Sequence, residues 1–177
     1  MTPFLSAAIA EMLPNAGSGA DCAECGFDWT TDGEPALAHL RRAPGRFDEL
    51  LGNRDATRQP DPQVWSPSAY VWHVGDVVRA WSERLHSLGI DPSAPWAGFD
   101  PNEIARARNY PALPPRTGPW ALARAVDALE LALEALDMDT AFVHPEWGHG
   151  TVTDALRWVA HEVVHHELDV QRGVGRV

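Results

Sequence analysis

The densest set of metal-capable side chains in the chain is His161-Glu162-Val163-Val164-His165-His166-Glu167-Leu168-Asp169. Imidazoles and carboxylates can together hold a divalent cation and, where a coordination position stays open, activate a water or a thiol. Residues four apart share a helical face, so two pairs compete here: His161 with His165, and Glu162 with His166. Helical phase separates them. With Ala155 at zero and about 100° per residue, Leu156, Val159, Val163 and Val170 form an apolar stripe centred near about 65°. Glu162 at roughly 340° and His166 at roughly 20° border that stripe. His161 and His165, at roughly 240° and 280°, fall on the far side. An acid beside a core is costly unless it is paired or bound to metal, which favours Glu162 and His166 as the inward pair.

The spelling His161-Glu162-Val163-Val164-His165 also fits H-E-x-x-H, in which both histidines bind zinc and the acid is the general base. Phase makes that the second choice, and no recognisable third ligand follows it. A third ligand does exist upstream. His73, in Trp65-Ser66-Pro67-Ser68-Ala69-Tyr70-Val71-Trp72-His73-Val74, lies about 90° from the centre of its own helix's stripe, again at a core boundary. Facing helices of a bundle assemble metal sites from such positions. His73, Glu162 and His166 would supply two imidazoles and one carboxylate, with positions left for water or substrate. The competing reading makes His73 a buried hydrogen-bonded histidine and leaves the later histidines in solvent; spacing leaves both open.

His165, Asp169 and His149 are candidates for proton transfer or for orienting a ligand, and nothing in the sequence orders them. Cys22-Ala23-Glu24-Cys25-Gly26 has the form of half a zinc knuckle or a redox pair. A full zinc site needs two further ligands, and spacing gives no reason to choose His39. The loop His144-Pro145-Glu146-Trp147-Gly148-His149 could line a site entrance or be a plain polar loop.

The elements that must carry these residues read as helices. Asp32-Gly33-Glu34-Pro35 suits a helix start, with Leu37, Leu40, Phe47, Leu50 and Leu51 apolar and Pro44-Gly45 expected to kink or split it. Ser66 caps a second helix with Pro67 in its first turn, and Gly89 ends it. A proline-rich stretch, residues 91–119, is a crossover with at most a short helix near 101–109. A third helix covers about 119–136. A fourth opens at the capping box Thr151-Val152-Thr153-Asp154 and runs to about Arg172. No strand shows convincing alternation. The expected fold is all-α, a four-helix bundle over residues 32–177 with one long crossover. Residues 1–31 are an irregular extension packed on or beside it. Trp72 and Trp158 fall off their stripes, open to a loop, a ligand mouth or a second subunit of a homodimer.

Composition bounds the partners. The 177 residues include 14 basic side chains, all Arg, against 25 acids, for a formal charge of −11. That balance disfavours nucleic acid and an anionic membrane surface, leaving a small molecule as the expected partner. No segment is apolar for long enough to span a bilayer, and the expected location is the cytoplasm, with both cysteines reduced.

At Trp65-Ser66-Pro67 with His73, and at the run ending in Asp169, the sequence resembles the DinB-like superfamily of four-helix metalloproteins. That superfamily includes the YfiT-type proteins and the mycothiol-dependent maleylpyruvate isomerases. The isomerase-like branch has an acid, three residues, a His, and an Asp three further on; Glu162, His166 and Asp169 match it, and the early His falls on His73. The resemblance covers about residues 35–172. It implies a divalent metal, zinc first with nickel or iron as alternatives, and in some branches a low-molecular-weight thiol such as mycothiol. The implied activity is thiol transfer, isomerisation or hydrolysis; the alternative is a non-catalytic bundle acting as sensor, scavenger or partner-binding protein.

Overall fold

The computed structural model describes residues 21–52, 55–98, 100–146 and 148–175. The Met1–Ala20 part of the extension and Trp147 lie outside the described residues. Five α-helices are described: α1 Gly33–Leu51, α2 Pro67–Ile90, the short α3 Pro101–Arg108, α4 Gly118–Leu133 and α5 Val152–Gly173. Two strands, β1 Ala141–His144 and β2 Gly148–Thr151, form an antiparallel hairpin just before α5.

Local chemistry sets the helix starts. Ser66 accepts from the Ala69 amide at 3.3 Å, with Pro67 in the first turn of α2. Thr151 and Asp154 close a reciprocal capping box on α5. Asp32 precedes α1 but makes no side-chain cap bond. Pro44 does not split α1: the helix runs through it, its buried face of Leu40, Ala43, Phe47, Leu50 and Leu51 held in the core. The hairpin corrects the expectation of no strand. Each strand has only four residues, and Gly148 and Gly150 erase the alternation that would betray β2. Gly150 is required there, since a Cβ would meet the Phe142 ring at 2.9 Å.

The long helices pack as a ring in the order α1, α5, α2, α4, so the chain-consecutive pairs α1/α2 and α4/α5 sit on diagonals. Close approaches give the directions. Gly118 faces Val71 and Gly89 faces Ala135, so α2 and α4 run parallel. Gly173 faces Pro67 while Trp81 meets Trp158 at 5.8 Å, so α5 runs antiparallel to α2. Parallel α2 and α4 explain the crossover: residues 91–117 must travel back along a 24-residue helix, about 36 Å. Asp76 of α2, 1% exposed, anchors this return, accepting from Arg108 and, at 2.7 Å, from the Tyr110 hydroxyl.

Residues 21–32 lie on the bundle, with Phe27 and Trp29 buried in its core. Trp72 is buried with Ala69 and Tyr110 beneath the crossover, and Trp158 sits in the main core. Both are therefore largely covered by their own chain. No helix among the described residues is long and apolar enough to cross a membrane.

Candidate metal centre

Antiparallel α2 and α5 bring His73 opposite the i, i+4 pair Glu162 and His166. His73 Nε2 and His166 Nε2 each lie 3.6 Å from Glu162 Oε2. One ligand atom from each of the three residues lies within 4.8 Å of the others. The side chains are 2%, 12% and 8% exposed. A separation of 3.6 Å is too long for a good hydrogen bond. It is close to the edge of a tetrahedron with metal–nitrogen bonds of the usual zinc length, about 3.4 Å.

The donor set passes a further test. Both ring nitrogens of His73 are buried without a hydrogen-bond partner, a loss of about 1–3 kcal/mol per polar group unless something else binds there. The nearest acceptor to His73 is the Glu162 carboxylate, 3.6 Å from its Nε2. Asp169 Oδ2 lies 2.9 Å from His166 Nδ1, which fixes the ring and turns Nε2 toward Glu162. Tyr70 stacks on His166 at 5.2 Å between ring centroids, and Trp65 leans on His73 at 5.1 Å.

Electrostatics follow from this closeness. Burial pushes His73 down, keeping it neutral. Burial also opposes charge on Glu162, but the His166 and His73 imidazoles outweigh it and hold the carboxyl well below its usual range. For His166, burial is overcome by Asp169 and Glu162, which raise the imidazole to about 9. Without metal the site is a carboxylate–imidazolium pair beside a neutral imidazole.

The other sequence candidates separate. Asp169 touches His166. His165 turns the opposite way, its Nε2 at 3.6 Å from Glu24. His149 is exposed on β2, and Thr151 at the start of α5 precedes Glu162 by eleven positions, about 16 Å of helix. The hairpin therefore sits at the far end of the bundle and lines no entrance to this centre. His144 is buried there, stacked on Trp81.

His161 is the main correction to the helical wheel. It is 0% exposed, stacked at 4.4 Å on Trp29 and edge-on to Phe27. The wheel registers only helix neighbours, whereas Phe27 and Trp29 pack on the face opposite its apolar stripe. Sequence reasoning also missed Tyr70 and Trp65. Their places, three residues before His73 and at the N-terminal edge of α2, were the available signal.

A buried two-histidine, one-carboxylate set between bundle helices defines a class, the helical bundles with an internal metal-capable centre. The DinB superfamily matches residues 29–169, and the chain belongs to that superfamily. Among solved structures it is similar to YfiT from Bacillus subtilis, with 15% identity, a TM-score of 0.67, and coverage of 82% of this chain and 89% of that one. YfiT is described as a probable metal-dependent hydrolase with an unusual four-helix bundle topology. No curated protein sequence matches the chain.

Proposed function

We propose that the protein is a metal-dependent enzyme acting on a small molecule, with His73, Glu162 and His166 as the metal ligands. The observation that carries this reading is the convergence of three buried donors, one of them with both ring nitrogens unsatisfied. Zinc is the first choice of metal, and the same donor set also suits iron(II) or nickel. A divalent ion held there supplies Lewis acidity, lowering the pKa of a coordinated water or thiol toward neutrality.

The chain's own groups do the rest. Asp169 holds the His166 ring in one orientation. Trp65 and Tyr70 wall the centre from bulk water. A cavity of about 400 Å³ lies on the outer side of Trp65, lined among others by Gln59, Asn102 and Arg106. Its lining is more apolar than polar, with the Arg106 guanidinium and the Gln59 and Asn102 amides as polar groups, which suits a small molecule with an apolar body and a polar or anionic end. The chain's charge of −11 supports a small-molecule partner over a nucleic acid.

Hydrolysis is the favoured reaction because of the structural likeness to YfiT; thiol transfer or isomerisation with a thiol such as mycothiol in the cytoplasm is the variant. The near closure of the three side chains favours a second reading, a metal-holding sensor or scavenger without turnover. Metal content and a substrate screen with and without added thiols test these together. His73→Ala and His166→Ala should each lower the metal content by about one equivalent per chain. Full metal content in both variants overturns the ligand set, and full occupancy without turnover supports the second reading.

A further inference from the structure

The two i, i+4 pairs of α5 compete in the sequence but both are used in the fold, because each meets a different partner. Glu162 and His166 face His73. His161 and His165 face the turn formed by Cys22 and Cys25. One ligand atom from each of Cys22, Cys25, His161 and His165 lies within 4.8 Å of the others.

From this convergence we infer that Cys22, Cys25, His161 and His165 form a second metal site, a structural zinc site with two sulfur and two nitrogen ligands. Thiolate with imidazole in a four-ligand set selects zinc, and four protein ligands complete its shell. Tetrahedral bonds of about 2.3 Å to sulfur and 2.0 Å to nitrogen separate donors by about 3.3–3.8 Å, inside the 4.8 Å limit within which these four atoms lie.

Independent observations point to the same ligand. The turn is preformed: the Gly26 amide donates to the Cys22 carbonyl and the Cys22 amide to the Phe27 carbonyl, both at 2.8 Å. Gly26 takes the positive φ of 71° that the knuckle requires. Both ring nitrogens of His161 and the Nδ1 of His165 are buried without hydrogen-bond partners. His165 Nε2 faces Glu24, the arrangement in which an acid orients a metal-binding imidazole through its second nitrogen. Trp29 stacked on His161 fixes that ring. The two thiols are free, with no disulfide between them. His39, the other histidine considered for this site, lies against Phe27 at 6.1 Å and is not among the four. The site joins a turn near the N-terminus to the last helix, from Cys25 to His161 in sequence, so its metal fastens residues 22–31 over α5 without taking part in the chemistry beside His73.

The test uses the full chain with cobalt(II) in place of zinc. A thiolate-to-cobalt charge-transfer band in the near ultraviolet is expected, together with tetrahedral visible absorption. The zinc form should hold about two equivalents per chain, and Cys22→Ser with Cys25→Ser should lose one of them and the band. His73→Ala should lose the other and keep the band, so failure of this site and failure of the His73 centre are distinguishable. Should the double variant not fold, the wild-type cobalt spectrum and thiol titration decide alone. Absence of the charge-transfer band, full reactivity of both thiols in the zinc-loaded protein, or a Cys22–Cys25 disulfide in the purified protein overturns the assignment.

Discussion

Replacing Asp169 by Asn probes the His73 centre through a residue that stands behind a proposed ligand. The Asp169 carboxylate lies 2.9 Å from His166 Nδ1, with 20% of its side chain exposed. A carboxylate in this place is worth about 10–100-fold in metal affinity, or about 1.4–2.7 kcal/mol. A second effect has the opposite sign. In the metal-free protein Asp169 helps Glu162 overcome burial and raise His166 to about 9, and metal must displace that proton. Each pH unit below 9 then weakens apparent affinity tenfold, by roughly 300-fold near pH 6.5 but only about fourfold near pH 8.5. Asn removes part of this competition. The variant should therefore lose about 10–100-fold in affinity near pH 8.5, and less than that near pH 6.5. Competition titration against a chromophoric chelator across this range measures both values. A loss that is independent of pH, or that deepens toward pH 6.5, refutes the coupling of Asp169 to metal through His166.

Other outcomes can be checked by unfolding measurements. Burial and then Arg84 lower His144 to about 4, below its ordinary 6.5; its stabilising contribution is complete above 6.5 and lost as pH falls through about 4. His144→Phe, which keeps a ring against Trp81, should remove on the order of 2 kcal/mol of that pH dependence; an unchanged slope would contradict it. Asp76→Ala should cost about 2–3 kcal/mol in urea unfolding by stranding the Tyr110 hydroxyl and one Arg108 partner, against about 1 kcal/mol for Tyr110→Phe. Equal costs would mean that the carboxylate does not hold the crossover. Gly173→Val places a Cβ 2.7 Å from Pro67 at the end of the bundle nearest His73, and should cost about 1–3 kcal/mol and weaken metal binding. Gly45→Ala, which meets nothing within 4 Å, should be neutral or stabilising, and a comparable loss there would undo the packing argument.

The helices and their starts were legible because they depend on neighbours in sequence. Ser66 with Pro67, and Thr151 with Asp154, act within one turn, and the apolar stripes follow from helical period alone. The pair Glu162 and His166 was legible for the same reason, since its phase against Leu156, Val159 and Val163 needs only one helix. The hairpin was not, because four-residue strands with two glycines carry no period.

What only the tertiary structure decided is which surfaces meet. Helical phase set His161 on the side away from its helix's apolar stripe, but the chain around Trp29 covers it, and no local rule specifies a contact between residues so far apart in sequence. The same holds for the parallel course of α2 and α4, which turns a proline-rich stretch into a return path, and for the antiparallel course of α2 and α5, which sets His73 against Glu162. By itself the sequence determined the residue types, their spacing and the face each presents. Packing decided their partners, because burial and donor convergence depend on distances between helices that sequence period does not encode.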